Sequence, residues 1–267
     1  MSQPELLLHA VADAARLAGN VALRHFKSRI DVDTKSDGSP VTLADRSAEQ
    51  VAREWIAARF PDDAVLGEEY GFSGNAKGRR WYIDPIDGTK TFVRGVPLWG
   101  TMIAVAEDDL VLAGAIFCPA VDELVAATVG CGCWWNGARC TVSTERSLAR
   151  STILVTDDLF PANPHRLEKW RALGARVAVS RTWGDCYGYV QVATGRAELM
   201  ADDRLNPWDA APLIPIIREA GGVYTDWRGE CRLDGGDGVA SNAALDKTFR
   251  EALGVPERDL AVGMHGE

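Results

Sequence analysis

Apolar residues recur at alternating steps of four and three from Leu7 through Val11, Ala14 and Ala18 to Val21, the period of a helix with one covered face. The pattern predicts a first helix over residues 4–27, with Pro4 in the first turn, where a missing N–H is tolerated. Its small residues, Ala14, Ala15, Ala18, Gly19 and Ala22, imply close packing on a neighbour. Residues 30–35 alternate apolar and polar as a half-exposed strand does, and 36–40 read as a turn. A second helix is expected from Thr42 to Phe60, carried by Leu43, Ala48, Val51, Ala52, Trp55 and Ile56 and ended by Pro61-Asp62-Asp63. A short strand over 64–66 and a buried strand ending at Trp81-Tyr82-Ile83 follow.

Beyond Ile83 strands dominate. Residues 100–106, 110–118 and 123–129 read as antiparallel strands, and Trp134-Trp135 before Asn136-Gly137 is a hairpin signal. With the two helices these make an α+β half, residues 1–147. Residues 148–267 alternate in the α/β manner: strands over 152–156, 176–180, 198–201 and 239–241, helices over 164–174, 185–194, 208–220 and 245–253. Gly221-Gly222 ends the helix over 208–220, and Pro212 and Pro215 should kink it. No repeat, low-complexity stretch or flexible linker is visible, so the halves should share an interface.

Composition narrows the class. The chain has 267 residues, 46% apolar and 25% charged, the balance of an ordinary enzyme with ample chain for a core. A net charge of −9 and a pI near 5.1 argue against a nucleic-acid or anionic-membrane partner, since both need a cationic face. Charged and polar residues are expected to interrupt every apolar run short of a membrane span, and no secretory signal is visible, so the expected location is cytoplasmic. The six cysteines, Cys118, Cys131, Cys133, Cys140, Cys186 and Cys231, are expected to be buried thiols in a reducing compartment. Zinc at Cys131, Cys133 and Cys140 is disfavoured by the tight Cys-x-Cys spacing and the lack of a nearby histidine.

The chemistry concentrates in Asp84-Pro85-Ile86-Asp87-Gly88-Thr89. Two carboxylates aimed at one point from a proline-stiffened turn repel each other unless a cation sits between them. Hard oxygen ligands favour Mg²⁺, which commonly takes one or two carboxylates plus a substrate phosphate, and Gly88 lets a ligand approach the backbone. An acidic loop capping a helix at Thr89 is the alternative. Likewise Glu68-Glu69 can be solvated surface, and Asp45 in a first helical turn is favoured by the helix dipole alone.

Taken together, Gly67-Glu68-Glu69, the 84–89 motif, Pro40 to Asp45 after Lys35, and Trp208-Asp209 leading into Glu219-Ala220-Gly221-Gly222 make the whole chain resemble the inositol monophosphatase family of Mg²⁺-dependent phosphomonoesterases. The resemblance implies a layered α/β/α/β/α sandwich, a homodimer, inhibition by Li⁺ or Ca²⁺, and two or three Mg²⁺ per subunit. It assigns Glu68, Asp84 and the Ile86 carbonyl to a first metal, and Asp84, Asp87 and Asp209 to a second. Glu68 would also orient a third, more hydrated ion. The N–H groups of Gly88 and Thr89 would receive phosphate, and Thr89, backed by Asp45, would position the attacking water; Lys35 has a weaker claim. Such ions neutralise phosphoryl charge and acidify water, so no histidine or cysteine nucleophile is required. His9, His25, His165 and His265 lie away from these motifs.

Residues 181–189 and 193–198 resemble the histidinol-phosphate phosphatase branch of that family, which implies hydrolysis of L-histidinol phosphate in histidine biosynthesis. Asp185, with Trp183, Tyr187 and Tyr189 close by, and Asp202 suit a substrate carrying an ammonium and an imidazole. Asp185 serves equally as a helix cap, and Arg181 as a phosphate contact or an ion pair across a subunit interface. Alternatives on the same fold act on inositol phosphate, fructose bisphosphate or an adenosine phosphate. A non-catalytic binder of phosphate ligands or a partner protein is the alternative from another class, which loss of Asp84, Asp87 or Asp209 would favour.

Overall fold

Ser2 and Glu5 close a capping box on the first helix, α1 (Gln3–Leu23), which ends a turn short of residue 27. The computed structural model describes residues 2–28, 32–34, 40–75, 77–108 and 110–257; Lys35, the turn over 36–39 and His265 lie outside them. β1 (Val32–Thr34) pairs antiparallel with β2 (Pro40–Thr42), and Thr42 then caps α2 (Leu43–Arg59). β3 (Ala64–Gly67), β4 (Gly71–Ser73) and β5 (Arg79–Asp87) lead into the short helix α3 (Thr89–Val93). An antiparallel run follows: β6 (Gly100–Glu107), β7 (Leu110–Cys118), β8 (Glu123–Thr128), β9 (Gly132–Trp135) and β10 (Ala138–Cys140). Its last hairpin turns on Asn136 and Gly137, at φ 48° and 83°, the left-handed pair that this dipeptide predicts. The rest comprises β11 (Thr152–Val155), α4 (Leu167–Gly174), β12 (Val179–Arg181), α5 (Asp185–Ala193), β13 (Leu199–Asp202), α6 (Pro207–Glu219), β14 (Gly222–Thr225), β15 (Gly238–Asn242) and α7 (Asp246–Leu253).

Besides the two-stranded β1-β2 pair, the described residues form a sheet of eight strands in the order β10-β9-β8-β7-β6-β5-β3-β4 and one of five, β12-β11-β13-β15-β14. Successive strand residues point to opposite faces. On one face of the larger sheet Trp81, Ile83, Ile103 and Val105 pack under α1 and α2. On the other, Tyr82, Met102 and Ala104 meet Tyr189, Leu213 and Ile217 of α5 and α6, which also cover Leu154, Met200 and Ala240 of the smaller sheet. The outer face of that sheet, with Ile153, Leu199 and Val239, is closed by Trp170 of α4 and by Phe249 and Leu253 of α7. This is the layered α/β/α/β/α sandwich that the sequence implies.

Several local readings need correcting. β5 does not stop at Ile83. It continues through Pro85 to Asp87, with a bulge against β6 between Asp84 and Asp87, and a bulge accommodates a residue that has no N–H to give the ladder. The strand expected over 176–180 is Val179–Arg181, and β2, β4 and β14, each three or four residues long, are absent from the sequence reading. Leu43, read as part of the covered face of α2, is 62% exposed; the buried face is Ala44, Asp45, Ala48, Glu49, Ala52 and Ile56. Cys118, Cys133 and Cys186 are buried, whereas Cys131, Cys140 and Cys231 are half-buried. Contrary to the expectation for apolar runs, α1 is long and apolar enough to cross a membrane by length and composition. Here it is a core helix, with Ala14, Ala18 and Ala22 fully buried.

α6 continues through Pro212 and Pro215 and lies unusually close to the larger sheet. At Gly114 on β7, a Cβ would sit 2.6 Å from the Pro212 carbonyl oxygen and 2.7 Å from its Cα. Both neighbours are backbone, so neither can rotate away. Gly114→Ala should therefore cost about 1–3 kcal/mol in urea unfolding, the usual range for overpacking. A variant as stable as the parent would mean that helix and sheet have slack between them.

Candidate metal centre

The bulged end of β5 supplies two acids, each anchored by one oxygen. Asp84 Oδ1 accepts the N–H of Ile86 at 2.9 Å, and Asp87 Oδ2 accepts the N–H of Cys186 at the head of α5. The third acid comes from the other sequence half. Asp209, in the first turn of α6, closes a capping box in which its Oδ2 accepts the N–H of Asn206 at 2.7 Å. Its Oδ1 is buried without a hydrogen-bond partner. One carboxylate oxygen from each of Asp84, Asp87 and Asp209 lies within 4.8 Å of the other two.

Burial is the largest influence on all three acids, and neighbouring charge adds to it. It holds Asp84 and Asp87 well above the usual carboxylate range, with Glu68 the foremost charge acting on Asp84 and Asp185 on Asp87. Asp209 is pushed up to about 7. Glu68 follows β3, its N–H donating to the Ile83 carbonyl at 3.1 Å, and its charge reaches Asp45, Asp84 and Asp209. Such a group is relieved by a divalent cation, which favours every ionised form at once. The donors are hard oxygens, and Asp209 Oδ1 and Asp45 Oδ1 are both buried and unpartnered. The residues fit an ion of the Mg²⁺ class.

The other expected site residues are placed unequally. Asp45 is buried, and its Oδ2 accepts both the N–H and the hydroxyl of Thr42, at 2.8 and 2.6 Å. The Thr89 hydroxyl donates to the Ile86 carbonyl at 3.0 Å, and no hydrogen bond joins Thr89 to Asp45 among the described residues. Gly88 takes φ 84°, the left-handed turn that starts α3. Asp185 is the first residue of α5, not its cap; Gly184 holds that position. At φ 50° Asp185 is itself left-handed, which few residues other than glycine adopt. Its carboxylate accepts from the Thr91 hydroxyl at 3.1 Å and lies against Gly88, where a Cβ would be 2.9 Å from Oδ2.

A cavity of about 160 Å³ connects Asp87 and Asp209 with Asp185, Asp202 and Lys90. Asp202, only 5% exposed, accepts from the Tyr189 hydroxyl at 2.9 Å and the Thr156 N–H at 3.3 Å. Burial pushes it up to about 7. Arg181, Trp183 and Tyr187 do not line this cavity. Arg181 donates to the Ser180 carbonyl, Trp183 is 43% exposed, and Tyr187 reaches Glu123 at 3.3 Å. The sequence reading passed over Lys90 and Thr156, whose hydroxyl accepts the Asp185 N–H at 2.7 Å. A lysine inside a short helix and a threonine just past a strand end are ordinary surface choices, so neither stands out in the sequence. It passed over Glu49 as well, because a glutamate in a helix ordinarily marks a solvated face.

Comparison with known proteins gives a consistent picture. The pattern of the inositol monophosphatase family matches residues 3–254. A histidinol-phosphatase from Chlorobaculum parvum is 41% identical over 94% of this chain and 98% of that protein. An inositol-1-monophosphatase from Mesorhizobium japonicum is 32% identical over 94% and 97%. Among solved structures, the extragenic suppressor protein suhB from Bartonella henselae superimposes with a TM-score of 0.88 at 30% identity, covering 93% of this chain and 98% of that one.

The raised acids carry a consequence for stability. Asp209 has an ordinary value of 3.8 and a folded value of about 7. In metal-free protein its contribution is therefore complete below pH 3.8 and is lost as pH rises through about 7. In chelator, the thermal midpoint of the parent should fall across that window relative to Asp209→Asn. Several degrees are expected, since one kcal/mol is worth roughly 2–4 °C in a chain of this size. Saturating Mg²⁺ should abolish the difference in slope. Parallel curves for parent and variant in chelator would mean that Asp209 is not raised.

Proposed function

Because the chain belongs to the inositol monophosphatase family, and so to a family of phosphatases, we propose that it hydrolyses L-histidinol phosphate to L-histidinol and phosphate with Mg²⁺. The observation that carries the metal dependence is the trio Asp84, Asp87 and Asp209, in which Asp209 Oδ1 is buried without a hydrogen-bond partner. The substrate is supported by the greater likeness to the histidinol-phosphatase, 41% against 32% for the inositol-1-monophosphatase. The acids Asp185 and Asp202 beside the trio suit an ammonium or imidazolium better than a neutral polyol.

In this reading Glu68, Asp84 and the Ile86 carbonyl hold one ion, and Asp84, Asp87 and Asp209 a second. When bound, two or three Mg²⁺ supply charge neutralisation and an acidified water. The N–H groups of Gly88 and Thr89 receive the phosphate. Thr89 and Asp45 orient the attacking water, Asp45 through its unpartnered Oδ1. Asp185 and Asp202 face the cationic part of the substrate, and Arg181, which does not line the cavity, is left for an acid of a second subunit. The reading extends to a cytoplasmic homodimer in histidine biosynthesis, with residues 1–147 and 148–267 as its two halves.

Phosphate release from L-histidinol phosphate, inositol 1-phosphate, fructose 1,6-bisphosphate and phosphoadenosine phosphate tests the substrate. The first should have the highest kcat/KM; any other order rejects the choice while leaving a phosphatase. Asp87→Asn and Asp209→Asn should each lower kcat by about 10²–10³, the scale for losing an electrostatic contact to the transition state, and leave the far-ultraviolet circular dichroism unchanged. Near-normal turnover would remove both from the metal centre. Asp185→Asn, which tolerates the left-handed backbone, should raise KM for L-histidinol phosphate by about tenfold and spare an aryl phosphate. Equal loss on both substrates would make Asp185 structural.

A further inference from the structure

Behind Glu68 lies a second acid of α2, one turn beyond Asp45. Residues four apart share a helix face, and Glu49 is fully buried there. Its Oε2 accepts the N–H of Glu69 at 2.7 Å, and its Oε1 accepts the N–H of Tyr70 at 3.2 Å and Nε of Arg53 at 2.7 Å. Arg53 extends the clamp by donating to Ser73 Oγ at 2.8 Å and to the Gly71 carbonyl. Residues 68–70 are the turn between β3 and β4, whose last pair is Gly67 with Gly71. Every amide of that turn is thus held: Glu68 by the Ile83 carbonyl, Glu69 and Tyr70 by Glu49.

Gly67 makes room for the arrangement. A Cβ there would lie 2.1 Å from Glu49 Oε1 and 2.4 Å from its Cδ, so the carboxylate occupies the space that any side chain at 67 would need. A hairpin turn on its own requires no buried ion pair. Taking both charges from water costs several kcal/mol before their attraction is counted. What the pair does provide is a stiff, charge-assisted anchor against the turn that bears Glu68.

We propose that Glu49 is a positioning residue: with Arg53 it locks the turn over 67–71 so that the Glu68 carboxylate faces Asp84 and Asp209, and thereby sets the affinity of the centre for its divalent ion. The inference rests on Glu68 acting as a metal ligand, as proposed above. Glu49→Gln keeps the shape but turns an amide NH₂ toward groups that are all donors. Loss of a supporting contact behind a metal ligand typically costs about 10–100-fold in affinity.

The Mn²⁺ dissociation constant, read from the free-ion EPR signal, should rise by that factor of about 10–100 in Glu49→Gln. The Mg²⁺ concentration for half-maximal activity should rise in step, while KM at saturating Mg²⁺ changes by less than about twofold. Arg53→Lys, which keeps the charge but loses the fork, should shift Mn²⁺ binding in the same direction and by less. It carries the comparison if the glutamine variant does not fold. Leu253→Ala, in the buried face of α7, controls for lost stability and should leave Mn²⁺ affinity unchanged. If the Glu49 and Arg53 variants weaken Mn²⁺ no more than Leu253→Ala does, the clamp is structural only and the inference falls while the metal centre stands. A parent protein that binds no Mn²⁺ and works in chelator overturns the metal reading itself, and this inference with it.

Discussion

Like charges gathered out of water are the constraint on which this molecule turns. One carboxylate oxygen of each of Asp84, Asp87 and Asp209 lies within 4.8 Å of the others, and neighbouring carboxylate charge, Glu68 included, adds to the cost of burial. Such a cluster persists only if the scaffold holds each acid firmly. The device repeats: one oxygen of each carboxylate is tied to a main-chain amide, that of Ile86, Cys186 or Asn206. For Asp209 the other oxygen is left without a partner. Backbone anchoring is stiffer than a side-chain contact, because the amide belongs to a helix start or a bulge.

The layered fold explains why these anchors coincide. α6 is buried between the two sheets, and the approach of Pro212 to Gly114 fixes its height above β7. Its first turn therefore presents Asp209 at a defined distance from the end of β5. α5 starts beside it and receives Asp87 on the Cys186 amide. α2 works from the opposite side of the large sheet, with Asp45 in its first turn and Glu49 a turn deeper. The centre lies near the N-termini of four helices, α2, α3, α5 and α6, and at the end of one interrupted strand, and helix N-termini favour negative charge.

Much of this was legible in the residues themselves. The acid-bearing stretch 84–89, the helix start at Thr42 and the turn at Asn136-Gly137 follow from side-chain chemistry that acts locally, and local chemistry survives folding. What failed depends on register or on direction. Pro85 reads as the end of a strand, and only its pairing with β6 reveals a bulge that carries β5 onward to Asp87. Arg181, Trp183 and Tyr187 are close to Asp185 in sequence, yet none of them lines the cavity that Asp185 does, and spacing cannot show where a side chain points. Leu43, read on the covered face of α2, is exposed, and Glu49, on which the sequence reading is silent, is buried, because polarity assigns a helix face only when the buried positions are apolar.

The division of ligands between distant segments bears on how the protein comes into being. Chains emerge from the ribosome N-terminal end first and fold as segments become available. The larger sheet can be complete once β10 has emerged, but its acids still lack the one that α6 contributes. On the proposed reading, a nascent or truncated chain can build the first ion site but not the second until the head of α6 arrives, so the metal centre would be completed late in biogenesis.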